Sequence, residues 1–164
     1  MLHGLFNAPR AYPAFYAPYY DQLSEFYDGR ERWLESIKNV PKGAVHLFCV
    51  HWLHLEVHNG GFWQYFFNST GVTAPEARDG FSAIGMPEVA SVVTQSMDRL
   101  GSPYPFDRDA RQLRVGSPDA RMDFDELETA FYDLADTEKF FRKLPRFVPF
   151  ADNYASSLRS SGAL

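Results

Sequence analysis

Cysteine, basic charge and sheet-like patterning are all scarce in this sequence. The only cysteine is Cys49, which excludes an intrachain disulfide and any cysteine-rich zinc site. No apolar run approaches the roughly 18 residues of a membrane span. The start, Met1-Leu-His-Gly-Leu-Phe-Asn, lacks the basic region and apolar stretch of a secretory signal, so the expected compartment is the cytoplasm. With 16 Lys and Arg against 21 Asp and Glu, the net charge is -5. A chain so short of cations lacks the surface of a general nucleic-acid or acidic-membrane binder. Apolar/polar alternation with a period of two is rare, which removes sheet architectures.

Aromatic residues are abundant instead: 15 Phe, 9 Tyr and 3 Trp among 164 residues, enough to build a core largely from flat side chains. The length suits one domain, residues 1–164. Apolar positions recur at three- and four-residue steps, so the expected fold is an all-α bundle of about six to eight helices around an aromatic-rich core. Pro9, Pro13 and Pro18 make residues 1–20 an irregular aromatic arm packed on the body, and the Ser-rich end from Ser156 reads as a frayed tail. Between them the pattern predicts a helix over 19–37 broken at Gly29, a long one over 44–58, and a short aromatic one over 62–68. Further helices are expected from Thr73 to Gly85, from Pro87 to Leu100, and over 124–136. Thr73 with Glu76, and Asp123 with Glu126, have the spacing of capping boxes. Residues 101–122, with Pro103, Pro105, Gly116 and Pro118, read as irregular.

On a helical wheel of residues 44–59, Val45, Phe48, Cys49, Trp52, Leu53 and Leu55 form the core face with Glu56 in its midst. His51, His54 and His58 share the other side. Because Glu56 cannot join them and a helical stripe alone rarely closes a coordination sphere, no metal site and no cofactor are expected; the histidines read as solvated or partner-facing. Cys49 reads as an inert buried thiol. A carboxylate in a core face needs donors, and the nearest are the free N–H groups of the turn Asn59-Gly60-Gly61-Phe62. No second acid or nucleophile accompanies Glu56 in this segment, so no catalytic residue is assigned.

The stretch Glu56-Val-His-Asn-Gly-Gly-Phe-Trp-Gln-Tyr-Phe-Phe-Asn-Ser69 resembles the signature of a bacterial family, a domain of unknown function named after a DNA mimic protein, that reads E-V-N-N-G-G-F-x-Q-F-F-x-N-S. Similarity continues through Ala83-Ile84-Gly85 and returns more weakly over Asp125 to Tyr132, covering roughly residues 40 to 145. His58 departs from the pattern, where the family usually has Asn. The resemblance implies an acidic, all-helical, dimeric protein that presents carboxylates to a DNA-binding regulator in place of phosphates. Within the motif Gln64 and Asn68 lie four apart on one side, as amides of a small-molecule pocket would.

Charge is uneven. Residues 119–138 hold eight carboxylates against Arg121 alone, and the following residues are basic through Lys139, Arg142, Lys143, Arg146 and Arg159. On the wheel of 124–136, Phe124, Leu127, Phe131 and Leu134 form the inward stripe, and Asp125, Glu128, Asp133 and Asp136 are expected on the outer side as an acidic ridge. The first functional reading is therefore a non-enzymatic interaction domain: a local DNA mimic that engages a DNA-binding protein or transcription regulator through this ridge, with no direct contact to nucleic acid or membrane, as a homodimer. The second is a small ligand-binding or enzymatic domain built on Glu56, Asn59, Gln64 and Asn68, with a histidine metal site as its lesser variant.

Overall fold

Apolar spacing becomes helix over most of the residues that the computed structural model describes, 11–136 and 145–162. In chain order the helices are α1 (Ala11–Tyr16), the single turn α2 (Tyr20–Leu23), α3 (Arg30–Ile37), α4 (Lys42–Phe67), α5 (Ala74–Ala83), α6 (Pro87–Leu100), α7 (Arg108–Val115), α8 (Asp125–Ala135) and α9 (Phe147–Ser160). No strand occurs among the described residues; an isolated antiparallel bridge joins Asp136 to Pro145. The fold class is all-α, as expected. No described helix is long and apolar enough to cross a membrane.

Helix α4 is the axis of the bundle, packed against α1, α5, α7, α8 and α9. Residues 43–50 are buried on every side, which corrects the single core face drawn from the wheel: a helix enclosed by neighbours has no solvent side to keep polar. Leu55, placed in that face, is exposed instead. The glycine pair breaks α4 as anticipated, because Gly60 and Gly61 leave helical geometry and Gly61 takes φ 75°, a region that side chains other than glycine rarely enter. The chain resumes as helix at once, so the aromatic residues of the motif continue the same rod at an angle. Phe62 and Phe81 both meet Phe131 edge-on, at 5.6 and 5.9 Å between ring centres, and these rings knit α4, α5 and α8 together.

Several local expectations fail for identifiable reasons, among them the box at Asp123: α8 begins at Asp125, and the Asp123 carboxylate accepts from the Asp125 N–H instead of the Glu126 N–H. Thr73 does not cap α5 with its side chain. Its hydroxyl donates to the Thr70 carbonyl and meets the Tyr65 hydroxyl, while Glu76 takes a bidentate pair with Arg30. The stretch 101–122, read as irregular, contains α7, whose start is capped by Asp107 accepting from the Ala110 N–H. Helix α9 runs through Ser160 rather than fraying from Ser156; Ser156 and Ser160 donate to carbonyls four residues back, and Leu158 lies over Gly43. From Ala11 onward the arm is helical rather than irregular, Pro13 standing inside α1, and Tyr12, Phe15 and Tyr16 are buried. Its first ten residues, together with Lys139, Arg142 and Lys143, lie outside the described residues.

Candidate functional site

Glu56 is buried at 8% exposure, and its donors are not the backbone groups of the glycine turn. Oε2 accepts from Gln64 Nε2 at 2.6 Å and Asn68 Nδ2 at 2.9 Å, and Oε1 accepts from Thr70 Oγ1 at 2.9 Å. Asn59 donates in turn to Gln64 Oε1 at 3.1 Å. The kink makes this possible: it folds the second half of α4 back until side chains 8, 12 and 14 residues away reach one carboxylate. Glu56, Asn68 and Thr70 line a shallow open cleft of about 280 Å³ beside Trp52 and Tyr27. Both oxygens of Glu56 are already engaged there, so the cleft presents a satisfied network, the arrangement that holds a fold together, rather than an acid free to act on a substrate.

The backbone donor of the turn goes to a different acid. Phe62 N–H donates to Glu128 Oε1 at 2.8 Å, and a Cβ on Gly61 would collide with the same carboxylate. Burial raises the Glu128 carboxyl above its usual range, the Phe62 bond partly offsetting this, while Asp125 and Asp123 push it further up. The sign follows from desolvation disfavouring the charged form. The far end of α4 is closed by α7. Arg111, 1% exposed, donates to the carbonyls of Phe66, Asn68 and Phe106, and Gln112 and Arg108 both reach the Phe67 carbonyl. Helix ends leave such carbonyls unpaired, and cations there complement the dipole.

The expected acidic ridge is divided. Asp125 and Asp133 are exposed, but Glu128 turns inward to Phe62 and Asp136 turns inward to the histidines. For Glu128 the spacing itself carried the signal: Phe124, Glu128, Phe131 and Ala135 follow four-, three- and four-residue steps and share one side of α8. Asp136 has left the helix, with φ -117° and ψ 156°, so a wheel does not apply to it. The exposed carboxylates of this region are Asp119, Asp123, Asp125, Glu126 and Asp133. None of them forms an ion pair among the described residues. Arg121, the cation among them, lies over the Trp63 ring at 3.9 Å.

The three histidines of α4 part company. His51 Nδ1 meets the Tyr12 hydroxyl at 3.0 Å. His54 Nε2 and His58 Nε2 face Asp136, at 3.2 Å from Oδ1 and 2.9 Å from Oδ2. Burial lowers the His54 pKa to about 4, against the opposing pull of its hydrogen bond to Asp136, so this imidazole is neutral at ordinary pH. Cys49 is buried and its thiol is pushed well up by burial, which keeps it protonated.

A family model described as DMP19-like protein matches residues 38–153. The chain belongs to the DMP19-like family. No match emerges among curated proteins or among solved structures. The DMP19-like span runs from the end of α3 into α9 and takes in the whole Glu56 network, α7 and α8. The arm over α1 and α2 lies before it. Within this DMP19-like span, Thr70, Arg111 and the inward roles of Glu128 and Asp136 escaped sequence reasoning. Thr70 lies one residue past the signature, and nothing local to Arg111 marks its carbonyl partners.

Proposed function

We propose that this chain acts as a local DNA mimic, binding the DNA-contacting surface of another protein through Asp119, Asp123, Asp125, Glu126 and Asp133. One observation carries the reading: four exposed carboxylates, Asp123, Asp125, Glu126 and Asp133, stand at the start and outer side of α8, with exposed Asp119 four residues ahead of them in the chain, all without ion-pair partners among the described residues, on a fold of the DMP19-like family. Asp125 and Asp133 are separated by about 12 Å of helix at roughly 1.5 Å per residue. One DNA strand presents three to four phosphates over about that length, at roughly 3.4 Å each. The charge density is lower than that of DNA, so the mimicry is local and its affinity comes from several weak rim pairs with steering of encounter.

The test uses the immobilised full chain and a fourfold variant, D119N/D125N/E126Q/D133N. The parent is expected to retain a DNA-binding protein that duplex DNA and rising salt both release, and to displace DNA from that protein in a gel-shift assay. The variant should lose most of this binding, roughly 0.5 to 1 kcal/mol per pair, and its residual binding should depend little on salt. Equal, salt-insensitive capture by the variant would move the interaction to another face. Sedimentation of the same samples checks the homodimer that the resemblance implies.

A further inference from the structure

One cluster lies outside the acidic face and outside the Glu56 network. His54 and His58 stand one turn apart on α4 with ring centres 4.2 Å apart. Asp136, the first residue after α8, is held by its N–H bond to the Tyr132 carbonyl and by the bridge to Pro145. It sets Oδ1 3.2 Å from His54 Nε2 and Oδ2 2.9 Å from His58 Nε2, and the three groups offer atoms all within 4.8 Å of one another.

Two features distinguish this from an ordinary hydrogen-bonded trio. The Asp136 side chain is only 10% exposed, and among the described residues Oδ2 has no hydrogen-bond donor. His58 Nε2 is near enough but not aligned to donate. A buried carboxylate oxygen left so is costly unless a cation lies in front of it, either a protonated His58, whose Nε2 stands 2.9 Å away, or an ion shared by all three side chains. The spacing also suits an ion. Nitrogen and oxygen ligands at about 2.1 Å from a metal lie roughly 3.0 Å apart in octahedral geometry and roughly 3.4 Å apart in tetrahedral geometry. The two separations to Asp136 fall at or near that range.

We infer that His54, His58 and Asp136 bind one divalent transition-metal ion, with zinc as the first candidate. Two imidazoles and a carboxylate match the donor preferences of zinc and its late first-row neighbours, not those of magnesium or calcium. Three protein ligands leave at least one position open, as a closed four-ligand structural site does not. That position faces the His58 side, where the side chain is 30% exposed, because Phe147 covers His54 at 4.6 Å between ring centres. An ion there would tie the end of α8 to the middle of α4. Glu56, which the wheel sets apart from the histidines, takes no part; the third ligand comes from 82 residues away.

The experiment takes untagged full-length protein, stripped with chelator and dialysed, and titrates it calorimetrically with zinc chloride, with magnesium as control. Cobalt substitution read by its visible absorption reports ligand geometry. The expected result is one equivalent of zinc, no magnesium, and a cobalt band that H58N and D136N abolish while H51A retains it. His54 and Asp136 are buried and their variants risk misfolding. H58N, at a partly exposed position and checked by circular dichroism, therefore decides: folded protein with at least a hundredfold loss of zinc affinity supports the site. No stoichiometric zinc in the parent, or equal binding in parent and folded H58N, overturns it.

Discussion

At Glu56 a carboxylate sits where solvation cannot reach it, and three side-chain donors replace the water. Its truncation would leave Gln64 Nε2, Asn68 Nδ2 and Thr70 Oγ1 without their acceptor. E56A is therefore expected to lose about 1 to 3 kcal/mol of stability in urea unfolding; an unchanged midpoint would contradict the network's structural role. Glu128 permits a pH test. Its folded pKa is raised above the usual 4.5, so its contribution to stability is fully present below the unfolded value and falls as pH rises through the folded one. Gln at this position keeps an acceptor for Phe62 N–H without a charge. The melting temperature of E128Q minus that of the parent should accordingly increase from pH 4 to pH 7, whereas a constant difference would show that the carboxyl is not desolvated. Glu56 was recognisable as buried from its place on the wheel. Its donors were not, because they reach it only across the kink.

Helices α4 and α5 meet at a place where size decides stability. Replacing a helical glycine by alanine ordinarily stabilises by about 0.4 to 1 kcal/mol. A Cβ at Gly80 of α5 would instead stand 2.8 Å from both the His46 carbonyl oxygen and Val50 Cγ2 of α4. Overpacking of that kind typically costs about 1 to 3 kcal/mol, and backbone cannot yield as a flexible side chain can. G80A is expected to melt below the parent; a higher melting temperature would mean that the two helices separate easily. Element boundaries at Gly29, Gly61, Pro87 and Gly101 were readable because glycine and proline restrict the chain locally. Helix α7 was not. Its neighbours Pro103, Pro105, Gly116 and Pro118 disguise eight helical residues whose task, closing the end of α4, is visible only in the assembled fold.

Over the whole molecule, charge divides into a part that holds the fold and a part that faces outward. The variant D119N/D125N/E126Q/D133N removes only the second part. Surface changes of this type usually move stability by no more than about 0.5 kcal/mol each, and relief of self-repulsion acts in their favour. The fourfold variant should melt close to the parent by calorimetry while losing the salt-dependent binding proposed for these carboxylates. D136N should melt lower, since it alters a buried group facing two imidazoles. Similar losses in both proteins would show that the outward carboxylates also support the fold.

The sequence by itself determined the all-α class, most helix boundaries, the burial of Glu56 and its separation from the histidines, and the motif that marks the DMP19-like family. These follow from periodicity and from backbone restrictions, which act over a few neighbouring residues. Only the tertiary structure decided that Glu128 holds the Phe62 N–H across 66 residues, and that Asp136 closes on His54 across 82. Helix packing selects such partners, since it brings together side chains whose positions along the chain bear no relation to each other. A carboxylate at a helix end can turn outward or inward with the same local sequence, and the neighbouring helix settles which.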